Sequence, residues 1–193
     1  MFKSNISVEA YSVSMVHDDE NPVTRSFRIE KKYDEALRED AEQFGTSVNS
    51  LANQILKKYT ESDRYFREGQ SITLSPRTHE NLINKIDDAQ IIESGRESGL
   101  VIPKDRLLMR GMMLDRESVI WYISEVLGGY NDWFTCDIHE RDNDTLLHLR
   151  HVYNKKWSLF LKSYLSALFE EILKEPDLEF DLTDSTVNLV IKD

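Results

Sequence analysis

Residues Thr24–Tyr59 read TRSFRIEKKYDEALREDAEQFGTSVNSLANQILKKY, and this stretch decides the fold of the first third of the chain. Phe27 and Ile29 alternate with Ser26 and Arg28, the two-residue period of a half-buried strand. Tyr33, Ala36, Leu37, Ala41 and Phe44 then fall at spacings of three and four, which predicts a helix from Tyr33 to Phe44. Gly45 stands where a left-handed C-terminal cap belongs, and Thr46 or Ser47 can cap a following helix. That second helix carries Val48, Leu51, Ala52, Ile55, Leu56 and Tyr59 as its apolar stripe and ends near Thr60. So short a strand cannot stand alone, and two such helices bury too little apolar area to be stable by themselves. A second copy meets both deficits, because its strand completes a two-stranded ribbon.

Working outward, residues 1–21 are polar with weak periodicity and read as an arm, with Val8–Val16 as a candidate edge strand. Residues 22–62 form the strand-helix-helix unit. A second domain over residues 70–193 opens with Ser71-Ile-Thr-Leu74, a short strand, and Ser75-Pro76 caps a helix over Arg77–Ile86. Ala89–Glu93 reads as helix punctuated by Gly95 and Gly99, and Asp115 caps an apolar helix ending near Gly128-Gly129. Trp133–Glu140 and Thr145–Val152 read as strands joined by the turn Arg141-Asp-Asn-Asp144. A long helix, Lys156–Lys174, and a closing strand, Thr186–Ile191, follow. The order gives an α+β fold with a small antiparallel sheet behind the N-terminal unit. No internal repeat is evident.

Composition limits the function classes. The 193 residues carry 24 Lys and Arg against 35 Asp and Glu, a net charge of −11, which argues against coating nucleic acid without selectivity. Charge is segregated, however. Thr24–Lys32 holds Arg25, Arg28, Lys31 and Lys32 against Glu30, whereas Glu175–Asp184 is purely acidic. No apolar run is long enough to span a membrane, no secretory signal opens the chain, and the single Cys136 fits a reducing cytoplasm.

Two elements of the first unit, Ser26-Phe-Arg-Ile29 and Gly45-Thr-Ser-Val-Asn-Ser50, resemble the ribbon-helix-helix superfamily of Arc, MetJ and CopG type. The resemblance covers about a fifth of the chain. It implies a homodimer on double-stranded DNA, with the ribbon in the major groove and Thr24, Ser26 and Arg28 facing the bases. Arg28 suits a bidentate guanine contact, and Ser26 serves as donor or acceptor. The start of the second helix, at Ser47, Val48 and Asn49, would hold a phosphate through backbone amides. Arg25 departs from the family pattern, which places an apolar residue there; either it reaches a phosphate or the ribbon frays. The acidic first helix (Asp34, Glu35, Glu39, Asp40, Glu42) must face away from DNA. The C-terminal domain resembles, in pattern, that of archaeal ribbon-helix-helix proteins with no assigned activity, through Leu149-Arg-His151 and Lys156-Trp-Ser-Leu-Phe160.

Other constellations carry less. His148 and His151, like Cys136 and His139, are three apart on strands and point to opposite faces, so no metal is expected. Trp133, Trp157, Phe160, Tyr164 and Phe169 read as core rather than as a ligand pocket. Arg150, His151, Lys155 and Lys156 before Ser158 read as a solvated loop. No nucleophile elbow, P-loop or dinucleotide fingerprint is present, so neither a catalytic residue nor a cofactor is expected. The expectation is a cytoplasmic, dimeric, sequence-specific DNA-binding transcriptional regulator, whose C-terminal domain senses a small-molecule or protein effector or mediates assembly. The alternatives are an interaction protein whose ribbon only dimerises, and an antitoxin-type autoregulator.

Overall fold

The computed structural model describes residues 23–66, 71–141, 144–174 and 178–192. The expected N-terminal arm, with its edge strand, and the middle of the Arg141–Asp144 turn lie outside them. The chain divides into two compact units that meet in sequence at Ile72 and Thr73. Its class is α+β: among the described residues, six α-helices accompany one four-stranded antiparallel sheet.

The first unit contains α1 (Lys31–Gln43), α2 (Val48–Glu61) and a short 3-10 turn over Asp63–Tyr65. Helix α1 begins two residues earlier than the apolar spacing predicts, with Glu30 as its N-cap and an exposed Lys31–Glu35 pair on its first turn. The connection is a Schellman turn. Gly45, at φ 63°, donates to the Glu42 carbonyl at 3.2 Å, and Thr46 donates to the Ala41 carbonyl at 2.9 Å. Ser47 then caps α2, its hydroxyl accepting from the Ser50 amide at 3.0 Å.

The second unit is built around α6 (Lys155–Ile172). Its capping residue is Asn154, and Leu161, Tyr164, Leu165, Leu168 and Phe169 are completely buried. One side of α6 lies on the sheet formed by β1 (Thr135–Arg141), β2 (Asp144–Arg150), β3 (Glu179–Leu182) and β4 (Thr186–Ile191), in the order β1-β2-β4-β3. The register sets Leu147 opposite Leu189 and Leu149 opposite Val187, so these face the core together while His148 and Asn188 face away.

The other side of α6 is covered by α4 (Asp88–Met109), and here the structure corrects the sequence reading. Gly95 and Gly99 do not punctuate a short helix. They sit inside one of 22 residues that also passes through Pro103. A Cβ at Gly95 would meet the Phe160 carbonyl oxygen at 2.6 Å, and one at Gly99 would meet the Tyr164 carbonyl oxygen at 2.2 Å. The glycines are therefore the residues that allow two helix backbones to touch. Arg96–Glu170 (2.8 Å) and Lys104–Glu171 (2.6 Å) flank the contact.

Further differences have equally local causes. Helix α3 is Pro76–Ile83 rather than reaching Ile86, and the expected strand over Ser71–Leu74 carries no regular structure. After α5 (Arg116–Trp121), capped by Asp115 as expected, the helix widens into a π-helix over Tyr122–Tyr130. Strand β1 starts at Thr135 instead of Trp133 because Trp133 turns the chain, donating to the Leu127 carbonyl at 3.0 Å. Strand β2 ends at Arg150, and β3 lies within the acidic stretch Glu175–Asp184, where no strand is expected. Its Phe180 and Leu182 alternate, but four residues give the pattern little length.

Candidate functional site

In the first unit the apolar stripes are in place and largely uncovered. Ala41 alone of the stripe residues is buried, while Phe27 is 70%, Tyr33 54%, Phe44 67% and Tyr59 56% exposed. Ile29, Ile55 and Leu56 are exposed as well. Leu37, Val48, Leu51 and Ala52 are half-buried where α1 meets α2. A unit whose large side chains remain in water has the composition of half a core.

Residues 23–30 carry no regular structure in the single chain, and Thr24, Arg25, Ser26 and Arg28 are all exposed. Neither Arg25 nor Arg28 forms an ion pair among the described residues. The neighbouring cations are engaged: Lys32 with Glu30 at 2.9 Å, Lys31 with Glu35 at 3.2 Å and Arg38 with Asp34 at 2.8 Å. Asp34 holds the Arg38 guanidinium above its ordinary range, chiefly through their hydrogen bond. The acidic residues thus engage the neighbouring cations and leave Arg25 and Arg28 without an ion pair among the described residues. At the start of α2, Ser47 and Asn49 are exposed and Val48 is half-buried. Among the described residues the Ser47 side chain engages the Ser50 amide.

The second unit contains a cavity of about 420 Å³ between the end of the π-helix and the ends of β1 and β2. Gly128, Gly129, Trp133, Cys136, Arg150 and His151 are among its lining residues. Burial pushes the Cys136 thiol up to about 11, which keeps it protonated and unreactive at neutral pH. His151 is buried, and its Nε2 lies 2.9 Å from the Ser158 hydroxyl, which itself donates to the Thr183 carbonyl at 2.8 Å. Since that hydroxyl proton is committed, His151 must donate from Nε2. Burial lowers its pKa to about 4, so the ring is neutral. Trp133, Trp157, Phe160 and Tyr164 form a continuous aromatic cluster, in which Trp133 meets its neighbours edge-on and Trp157 and Phe160 lie parallel at 4.7 Å.

His148 and His151 are separated as their spacing requires. His148 lies on the open sheet face, 2.5 Å from the Asn188 side-chain oxygen, and His151 lies inside. Among the described residues no group of three His, Cys, Asp or Glu side chains is placed to hold a metal ion. The loop read as solvated is partly an anchor: Lys156 bonds the Ile86 carbonyl, and Asn154 donates to Asn84 at 2.8 Å. His79 of α3 packs edge-on against Tyr153 and Trp157 at 4.7 Å, a contact with no signal in local periodicity. No helix among the described residues is long and apolar enough to cross a membrane. No family model matches the chain, and no curated protein matches it.

Proposed function

We propose that the protein is a dimeric, sequence-specific DNA-binding transcriptional regulator of ribbon-helix-helix type, acting in the cytoplasm. The observation that carries the reading is the first unit: two helices joined by a Schellman turn and the Ser47 cap, their apolar stripes largely exposed, preceded by two arginines that form no ion pair among the described residues. A second copy would bury Phe27, Ile29, Tyr33, Ile55 and Tyr59 and supply the missing ribbon strand. On that ribbon Thr24, Ser26 and Arg28 contact bases in the major groove. Arg25 and the amides around Ser47, Val48 and Asn49 contact phosphates, the latter with the dipole of α2 behind them.

The overall acidity of the chain fits this division of labour. Acidic surface away from the ribbon disfavours non-specific adhesion, so discrimination falls to a few contacts. The C-terminal unit serves assembly or effector sensing, and a cavity of about 420 Å³ is of small-molecule size.

Gel-shift and protection assays on fragments of its own genome test the proposal. The expected result is a specific, salt-sensitive complex that Arg28→Ala abolishes and Arg38→Ala preserves. A dimer without any salt-sensitive DNA affinity would instead support a pure interaction protein.

A further inference from the structure

The order that builds the first unit recurs further along the chain. Phe27 and Ile29 precede the Glu30 cap, α1, the Ser47 cap and α2. Ile72 and Leu74, 45 positions later, precede the Ser75 cap, α3, the Asp87 cap and α4. The local chemistry is parallel in part: Glu30 makes no side-chain cap bond, whereas Ser47 and both later caps do. The Ser75 hydroxyl accepts from the Thr78 amide at 3.2 Å, and Asp87 accepts from the Gln90 amide at 2.9 Å within a capping box. Two differences matter. Helix α3 has 8 residues where α1 has 13, and α4 is locked to α6 through Gly95 and Gly99. The second helical pair has therefore joined the C-terminal core, whereas its leading segment, Ser71–Leu74, pairs with nothing among the described residues.

That leading segment is unusually exposed for its composition. Ile72 is 88% and Leu74 43% exposed, and residues 71–74 make no backbone hydrogen bond among the described residues. Apolar and polar residues alternate, Ser71, Ile72, Thr73, Leu74, which is a sheet-forming pattern with both an apolar and a polar face. We infer that Ser71–Leu74 is a second ribbon strand, which pairs antiparallel with the same segment of a second copy of this chain. The inference rests on the proposed dimer, because four residues pair too weakly to join two chains unaided. Once the first ribbon holds the copies together, pairing becomes effectively intramolecular.

Symmetry limits the register, and centring the pair on Thr73 keeps all of Ser71–Leu74 but one residue paired within the segment. In a two-fold antiparallel ribbon, paired residues point to the same face, so the two residue numbers must add to an even sum. Pairing Thr73 with Thr73 of the second copy places each Ile72 opposite Leu74, and both apolar residues fall on one face. The polar face then carries Ser71 and Thr73, as the first ribbon carries Ser26 and Arg28.

The test uses full-length Cys136→Ala protein carrying Thr73→Cys, since Cys136 is the chain's single cysteine. Cysteines facing each other on the two-fold axis are within disulfide reach. The expected result, with the protein dimeric by light scattering, is oxidative cross-linking at least tenfold faster than for an Arg77→Cys control, slowed by adding Ile72→Asp. Because Ile72 is exposed, that change leaves the single chain's fold intact. A dimer in which Thr73→Cys links no faster than the control overturns this inference and spares the first ribbon. A protein that is monomeric at every concentration overturns both.

Discussion

Gly99 is the residue on which the C-terminal core depends most directly. A methyl group there meets the backbone of Tyr164, which cannot rotate away as a flexible side chain would. Gly99→Ala is expected to lower stability by about 2–3 kcal/mol in urea unfolding. Gly129→Ala, whose nearest neighbour would be the Ser124 carbonyl at 3.7 Å, should be close to neutral on the same measurement. Gly45 is a different case. Nothing lies within 4 Å of its absent Cβ, so Gly45→Ala carries only the penalty of φ 63°, about 1 kcal/mol.

His151 supplies the residue-scale pH dependence. Its folded pKa of about 4 lies below the ordinary 6.5, so the unfolded chain takes up the proton first as pH falls. Stability is then unaffected above pH 6.5 and declines between pH 6.5 and 4, by on the order of 2–3 kcal/mol at the lower end. Burial moves His79 in the same direction, and it adds to the slope in the same sense. Unfolding free energies measured across this window should flatten in His151→Gln. A slope unchanged by the substitution would mean that other groups carry it.

At the scale of elements, capping and periodicity were the legible part. Gly45, Ser47, Asp115 and the β4 strand stand where spacing and cap chemistry put them, because those signals act within a few residues. What escaped is what depends on distant partners. Gly95, Gly99 and Pro103 look like helix breakers until α6 supplies the backbone they pack against. The π-helix over Tyr122–Tyr130 has the apolar content of an ordinary helix, and His79 finds its aromatic partners only in three dimensions. Residues 24–29 are the opposite situation: their alternation is visible in the sequence, but the single chain gives them no regular structure, and the partner we propose for them is another molecule. Replacing Phe27 with Asp, or Tyr59 with Asp, is expected to yield monomer in analytical ultracentrifugation, with the helical signal of the first unit reduced. Arg28→Ala should leave the dimer intact while weakening DNA affinity, since in the proposed ribbon it acts on the face opposite Phe27.

At the scale of the whole molecule, the two units differ in how they are stabilised. The second has its own core, including Leu107, Leu147, Leu161, Leu168 and Leu189, each fully buried. The first leaves most of its large apolar side chains exposed, and on the proposed function a second copy covers them. Thermal unfolding should consequently show two transitions, the first rising in temperature with protein concentration and the second independent of it. A single concentration-independent transition would show that the first unit is stabilised within one chain. The negative total charge and the basic ribbon together predict that raising salt weakens DNA binding mainly through Arg25, Arg28 and the start of α2.

The most direct test of the central claim is selection of bound duplexes from a randomised DNA pool by the full-length protein at low salt. The account predicts enrichment of a site with two-fold symmetry, bound by a dimer, and loss of that enrichment in Arg28→Ala. A pool that emerges unenriched, from protein shown to be dimeric, would contradict it.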